Sequence, residues 1–209
     1  MDEILQNEER VELDALMQEE MQQRKKQLMR HKIPEKRTLL QALLNMTKQE
    51  LDDIRYNLCV EGVSSLKKAE LAERLVSEIL KFSHRWLPSA LEEQYQAFQH
   101  ILQKDGIADD FREDELRLDY LRGLGLLAVG AQGDKLLWYM PEEIQQEFKK
   151  LDSASYKKAV AANTEMMRLA TGLLFFYGVL DYDQLFQMVG KYMEEEDQVE
   201  FFAFMGVMI

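Results

Sequence analysis

The sequence has few of the residues that disulfide-bonded, membrane-spanning or β-rich proteins need. Its 209 residues include one cysteine, three prolines and ten glycines. Cys59 has no second cysteine with which to form an internal disulfide, and this favours a reducing, intracellular compartment. The longest apolar run, near residues 169–180, is far shorter than the roughly 20 residues of a membrane-spanning helix. Because the acidic N-terminus is also unlike a signal peptide, we expect a cytoplasmic protein without membrane contact.

The usual signatures of catalysis are also missing. The sequence contains no Walker-type glycine loop, no GxGxxG, no GxSxG and no HExxH motif. His31, His84 and His100 are scattered, and we interpret them as surface or partly packed residues. Cys59 has no companion for a thiolate metal site and is interpreted as a small apolar residue. We therefore expect no enzymatic activity, no metal and no cofactor; a Cys59–histidine pair in a pocket would reopen the enzyme alternative.

Charge is plentiful but unevenly distributed. Lys and Arg number 26 against 38 Asp and Glu, which gives a formal net charge of −12. Residues 1–23 hold one basic and eight acidic side chains, residues 24–85 fourteen and eight, and residues 86–209 eleven and twenty-two. A chain of this overall charge repels phosphate, which argues against a general polyanion binder. The basic middle segment leaves two alternatives: it contacts a nucleic acid, or it pairs internally with the acidic remainder.

The first 33 residues predict a long, mostly polar helix. They contain no glycine and no proline, and Pro34 is expected to end the helix. A thin apolar stripe at helical spacing consists of Leu13, Leu16, Met17, Met21 and Leu28. Such a helix packs along its stripe on a neighbouring element, pairs with a second copy of the chain, or is partly frayed, and the sequence leaves these alternatives open.

Residues 34–85 predict a short helix followed by a helix, an extended connector and a second helix. The short helix covers residues 38–44, and Thr47 with Glu50 then fits a capping box. Residues 59–66 contain two valines, a glycine and two serines, so we expect an extended connector there. The last helix covers residues 67–80. The predicted inward-facing residues of these elements are Leu51, Ile54, Leu58, Val60, Val63, Leu66, Leu71, Leu75 and Ile79.

This stretch resembles the SAP-like module at the N-terminus of transcription termination factor Rho. The matching elements are Thr47-Lys-Gln-Glu-Leu51, the turn region 62–65, and Leu66-Lys-Lys-Ala-Glu-Leu71. Cys59 departs from the family pattern, because a glycine usually precedes the extended segment. The resemblance covers about 40 to 50 residues and implies a module that binds nucleic acid or lies beside a domain that does.

The basic side chains of this module predict a nucleic-acid-binding face. We expect weak binding with a steep salt dependence and little sequence preference, because so few basic groups would contact phosphates. The candidate residues are Lys36, Arg37, Lys48, Arg55, Lys67, Lys68 and Arg74. The alternative is that acidic neighbours neutralise the same faces, namely Glu50, Asp52, Asp53, Glu70 and Glu73.

Residues 86–152 predict two helices, a β-hairpin and a third helix, an order that resembles a winged helix. The strands are expected at 126–129 and 135–140 around a turn at 130–134, and Pro141 begins the third helix. The helix that would enter a major groove, residues 113–122, is acidic, so this unit is expected to make protein contacts. The carboxylates at 109–115 predict a helix N-terminus and lack the spacing of a calcium loop. Trp138 and Tyr139 should point to opposite faces, so one can be buried and the other exposed, although packing of the second ring against the neighbouring helix is favoured.

Residues 153–209 predict two helices and an apolar end. Ser153 or Ser155 caps the first helix, Gly178 ends it, and Asp181 with Gln184 caps the second. Residues 194–197 form a charge run, and residues 201–209 are almost entirely apolar. This apolar end docks into the core, meets a partner, or marks a chain cut from a longer protein.

Together these patterns predict a mainly α, multi-module protein. Its units are residues 1–33, 34–85, 86–152 and 153–209. We expect a non-enzymatic interaction protein that binds RNA or DNA through residues 34–82, in a transcription-related role, and a protein partner through its acidic or apolar C-terminal surfaces. The alternative is a protein–protein adaptor or structural protein that binds no nucleic acid. Self-association through the N-terminal helix or the C-terminal apolar end stays open.

Overall fold

The computed structural model describes residues 15–19, 21–108 and 116–192. This part of the chain is mainly helical with a small antiparallel sheet, which confirms the predicted fold class. Helix α1 comprises residues 15–19 and 21–28. The other helices are α2 (Leu39–Asn45), α3 (Lys48–Asn57), α4 (Lys68–Trp86), α5 (Glu92–Gln103), α6 (Leu116–Gly123), α7 (Glu142–Leu151), α8 (Ala154–Tyr177) and α9 (Tyr182–Gly190). The strands are β1 (Ile107–Ala108), β2 (Ala128–Gln132) and β3 (Lys135–Tyr139).

The predicted helix starts in residues 34–85 are confirmed by their caps. Thr38 accepts a hydrogen bond from the amide of Gln41 at the start of α2. Thr47 and Glu50 form the complete capping box of α3, in which each side chain accepts from the other residue's amide. These bonds satisfy amides that a helix N-terminus leaves without an intrahelical partner. Helix α4 is longer than predicted and continues through Trp86, because its apolar face stays buried to that residue.

The connector between α3 and α4 is non-helical, as predicted, and Val63 is buried within it. Cys59 follows the end of α3 with φ 53°, the left-handed conformation that favours glycine. A glycine would adopt this conformation without steric strain. The Cys59 side chain is exposed.

The sheet contains one strand more than the sequence predicted. Strand β3 lies in the centre and pairs antiparallel with both β1 and β2. The predicted turn at 130–134 is wrong in extent: β2 continues to Gln132, which pairs with Lys135 across a two-residue turn. Gly133 in that turn has φ 61°. Strand β1 has only two residues, too few to show the alternation from which strands are predicted.

Trp138 and Tyr139 are both buried, which agrees with the favoured expectation that the second ring also packs. Their exposed fractions are 2% and 1%. Side chains of adjacent strand residues do point to opposite faces, but here both faces of β3 are covered. The alternation of side chains along a strand correctly predicts that the two rings lie on opposite faces of the sheet. It does not predict whether the second face is exposed to solvent.

One hydrophobic core joins the units on either side of residue 86. It contains Leu71 and Leu75 of α4 together with Phe98 of α5 and Phe148 of α7. Trp86 packs edge-on against Phe98 with ring centroids 6.2 Å apart. The side chain of Glu143 on α7 accepts a hydrogen bond from the amide of Leu39 at the start of α2, 104 residues away. The predicted SAP-like and winged-helix-like segments are thus packed on each other.

Helix α8 begins on this core and extends beyond it. Ser153 is its N-cap, Gly178 with φ 78° ends it, and Asp181 with Gln184 caps α9, all as predicted. Its first half is fixed by hydrogen bonds from Tyr156 Oη to the Leu87 carbonyl (2.6 Å) and from Asn163 Nδ2 to the Pro88 carbonyl (2.9 Å). Its second half packs with α9 around a separate small cluster of Met166, Ala170, Leu185 and Val189. We call α8 from residue 166 onward, together with α9, the α8–α9 arm.

Helix α1 meets the core only near its C-terminal end. Leu28 is buried, whereas Leu16, Met17 and Met21 of the predicted stripe are exposed in the single chain. Several predictions lie outside the described residues: Leu13, the first part of the helix at residues 113–122, the carboxylates at 109–115, the charge run at 194–197 and the apolar segment at 201–209. The described part of the acidic helix is α6, which packs against α3.

Candidate nucleic-acid interface

The structure divides the seven predicted basic residues into two groups. Four of them bond to atoms of the chain: Arg37, Lys48, Arg55 and Arg74. Lys36, Lys67 and Lys68 are exposed and form no ion pair with any other residue that the structure describes. The sequence does not distinguish these seven positions. Only the folded structure shows which of the basic side chains are bonded to other parts of the chain.

Asp52 occupies the centre of the basic face predicted on α3. Its carboxylate lies 3.0 Å from Lys48 Nζ and 3.3 Å from Arg55 Nε. The hydrogen bond from Lys48 is the main reason that the pKa of Asp52 is lowered, and the Arg55 guanidinium adds to it. The spacings of four and three residues bring these groups together on one side of the helix. The predicted neutralisation by Asp52 therefore occurs, and it leaves this trio with a single net positive charge.

Arg74 and Arg37 have partners of different kinds. Arg74 Nη2 lies 2.9 Å from Glu78, which also contacts Lys81 at 3.1 Å. Arg37 Nη1 donates to the backbone carbonyl of Asp105 at 2.6 Å, so its guanidinium ties the segment before α2 to the loop after α5. A phosphate would have to compete with these bonds at both positions.

Lys67 and Lys68 stand at the N-terminal end of α4, a helix of 19 residues. The Lys67 amide donates to Glu70 Oε2 at 2.9 Å, which keeps this carboxylate at the backbone. The two ammonium groups are thus exposed beside the positive end of a helix dipole. Unlike Lys48, Arg55 and Arg74, neither lysine forms an ion pair with a residue that the structure describes.

The predicted module as a whole is not positively charged. Residues 34–82 hold eight basic and eight acidic side chains. The positive excess of residues 24–85 comes from Arg24, Lys25, Lys26, Arg30 and Lys32 at the end of α1 and beyond it, and from Arg85. Any attraction for phosphate by the module is therefore local to Lys67, Lys68 and Lys36.

No protein-family model, curated protein or solved structure matches this chain. The SAP-like and winged-helix resemblances stay predictions for this reason. The function is therefore inferred from the geometry of the residues that the structure describes.

A charged cluster that the sequence did not reveal lies behind this face. We call it the Glu50 cluster: Glu50, His31 and Arg122, with side chains only 10–21% exposed. Glu50 Oε1 accepts from Arg122 Nη1 at 2.9 Å, and Glu50 Oε2 lies 3.2 Å from His31 Nε2. Burial opposes ionisation of Glu50, but the hydrogen bonds from His31 and Thr47 outweigh it and lower the pKa of Glu50 to about 2.

His31 is buried, so its interpretation as a surface or partly packed residue is wrong, whereas His84 is exposed as expected. Glu50 was predicted to cap α3, and it does, but it also pairs with groups 19 and 72 residues distant. No spacing in the sequence connects these residues, since α1, α3 and α6 meet only in the folded chain.

A second unusual surface lies at the tip of the α8–α9 arm. Phe175, Phe176 and Val179 are 92%, 79% and 87% exposed, and Tyr177 is half-exposed at 53%. Isolated apolar side chains are common on protein surfaces, but an exposed set this close in sequence is characteristic of interaction sites. The sequence had indicated an apolar C-terminal surface without distinguishing this tip from the inward face of the same helix.

The described residues contain no group of three or more His, Cys, Asp or Glu side chains placed to hold a metal ion. Among the helices of residues 15–108 and 116–192, none combines the length and apolar character needed to cross a membrane.

Proposed function

We propose that this protein is a non-enzymatic interaction protein that binds RNA or DNA weakly through the N-terminal end of α4. Lys67 and Lys68 contact phosphates in this proposal, and Lys36 adds a third cation. The observation that supports it is the exposure of these ammonium groups, none of which forms an ion pair with a described residue, in a segment that resembles the SAP-like module of Rho. A cytoplasmic, transcription-related role belongs to the same proposal.

The proposal requires binding to depend on local charge and not on the net charge of the chain. The full-length protein is titrated against a fluorescent single-stranded RNA and the matching DNA, with anisotropy recorded between about 50 and 200 mM salt. Lys67→Glu/Lys68→Glu is expected to abolish most binding. The loss of two phosphate contacts should also reduce the slope of log K against log[salt] by roughly 1.4 for single strands.

A charge-matched control distinguishes binding at the N-terminal end of α4 from an effect of the protein's overall charge. Lys157→Glu/Lys158→Glu reverses two adjacent exposed lysines on α8 and changes the net charge by the same amount. We expect this variant to bind as the unmodified chain does. Equal losses in both double variants, or no binding of the unmodified chain at about 50 mM salt, would contradict the proposal.

The exposed tip of the α8–α9 arm favours the second candidate, a protein–protein adaptor without nucleic-acid binding. Phe175 is almost fully exposed on a helix whose first half is anchored in the core, so the arm presents this side chain away from the anchoring contacts. Exposure of several aromatic side chains lowers solubility, and a protein partner that contacts this tip would bury their apolar surface.

Site-specific cross-linking tests the adaptor. A photoreactive amino acid replaces Phe175 in one variant and Lys158, an exposed position on the same helix, in the control. The adaptor predicts one discrete adduct from position 175 that Phe176→Ser weakens and that is absent from position 158. Identical adducts from both positions would reject this surface as a specific contact.

A further inference from the structure

His31 lies where α1 joins the rest of the molecule. Its carbonyl accepts a hydrogen bond from the Ala131 amide of β2 at 2.6 Å, and the next carbonyl, that of Lys32, accepts from Asn45 Nδ2 at 2.5 Å. Leu28, three residues earlier, is buried in the core. These contacts at His31 and its immediate neighbours hold the chain in place between the exposed part of α1 and the segment that leads to α2.

Both nitrogens of the His31 ring face groups that can only accept hydrogen bonds. Nδ1 lies 2.7 Å from the carbonyl oxygen of Asn45, and Nε2 lies 3.2 Å from Glu50 Oε2. A neutral imidazole has one N–H and one lone pair, so in either tautomer its lone pair would face an acceptor oxygen. Only the doubly protonated imidazolium donates to both.

The charges around this ring come from three elements. Glu50 on α3 favours the imidazolium, while Arg122 on α6 opposes it. Arg122 is itself paired with Glu50 and, at 3.1 Å, with Asp119, which also forms an ion pair with Arg24 of α1. Helix α2 contributes the neutral carbonyl of Asn45. The carboxylates thus offset the nearby arginines.

We propose that His31 is a pH-dependent latch that holds the C-terminal end of α1 against α2 and α3. The latch is closed when the imidazole is protonated. Loss of the proton removes one of the two hydrogen bonds and leaves a buried lone pair facing an acceptor, so the end of α1 separates more often from α2 and α3. This proposal does not depend on nucleic-acid binding.

The direction of the pH dependence follows from the hydrogen bonds. The hydrogen bond to Glu50 is the largest influence and raises the pKa of His31 above its ordinary 6.5, although burial and Arg122 oppose it. A group whose pKa is raised by folding stabilises the folded state fully below its unfolded pKa. This stabilisation is then lost as the pH rises through the folded pKa, and the latch weakens on the alkaline side.

Two measurements on the full-length chain test the latch. The chain has three histidines, so NMR titration of the ring protons gives three curves that single substitutions assign. We expect His31 to titrate above 6.5, and Glu50→Gln to lower that midpoint. Hydrogen exchange of residues 21–33, corrected for its intrinsic pH dependence, should show about a tenfold or greater loss of protection as His31 deprotonates.

Matched variants distinguish the latch from a general effect of pH. His31→Gln should expose residues 21–33 to exchange at every pH and remove the pH dependence. His84→Gln is the control, because His84 also lies beside a carboxylate, at 3.1 Å from Glu147, but its side chain is 60% exposed. A His31 midpoint at or below 6.5, or protection of residues 21–33 that does not change with pH in the unmodified chain, would overturn the proposal whether or not the variants fold.

Discussion

At the scale of single residues, Glu50 combines a local and a long-range role. As the third residue of α3 it accepts the Thr47 amide at 2.7 Å, which is the capping bond that the sequence predicts. The same carboxylate is the partner of His31 and Arg122, which belong to other elements. Capping has already placed this side chain at the junction of α1 and α6, so one carboxylate stabilises both the start of a helix and the packing around it.

We predict that Glu50→Gln lowers the free energy of unfolding by about 2–3 kcal/mol at neutral pH. The amide oxygen can still accept the Thr47 amide, but Arg122 and His31 lose the buried negative charge that compensates theirs. Urea denaturation followed by circular dichroism measures the change. Glu73→Gln, on the exposed side of α4 and without an ion pair among the described residues, should alter the midpoint little. Equal shifts in both variants would show that the Glu50 cluster contributes no net stability.

At the scale of elements, the helices were the predictable part, because their ends depend on neighbouring residues. Thr38, Thr47, Ser153 and Asp181 each accept a backbone amide three residues ahead, and the sequence contains both members of every such pair. The conformation and surroundings of a glycine are harder to predict from the sequence. Gly125 and Gly172 look alike in the sequence, but Gly125 has φ 75° beside Ile79, whereas Gly172 lies inside α8 with open space around its Cα.

These two glycines predict opposite effects of the same substitution. Gly172→Ala should stabilise the protein by about 0.5–1 kcal/mol, because alanine loses less backbone entropy in a helix interior and its methyl meets nothing within 4 Å. Gly125→Ala should destabilise it by about 1–3 kcal/mol, because the left-handed backbone becomes strained and the new Cβ would lie 2.5 Å from Ile79 Cδ1. Thermal unfolding of both variants checks the signs, and shifts in the same direction would contradict this account.

At the scale of the whole molecule, the core crosses the boundaries that composition suggested. Charge changes sign near residue 85, yet Leu71 before it and Phe148 far beyond it belong to the same buried cluster. The composition of a segment reflects its surface residues as well as its core residues. A change of surface charge along the sequence therefore does not mean that a separate hydrophobic core begins there. The α8–α9 arm, by contrast, has a small cluster of its own.

A shared core predicts cooperative unfolding of residues 28–160. Leu71→Ala and Phe148→Ala, which lie in different predicted units, should each lower the same transition, by about 2–5 kcal/mol in free energy. Calorimetry and near-ultraviolet circular dichroism should report coincident midpoints in each variant. Two separated transitions, with each substitution affecting only one, would show that the units fold independently. Leu185→Ala in the arm cluster provides the comparison for a residue outside the shared core.

The sequence by itself determined the helical character of this protein, most helix starts, the hairpin and the uneven charge. These features depend on residues within a turn or a strand pair of each other, so local capping, periodicity and turn chemistry are sufficient to predict them. The short strand β1 could not be predicted from the sequence, because it depends on pairing with β3 in the folded chain. Only the tertiary structure decided which charges remain available. Lys48, Arg55 and Arg74 are paired, while Lys67 and Lys68 are exposed, and His31 is buried against Glu50, because the fold brings charges together across distances that no sequence spacing encodes.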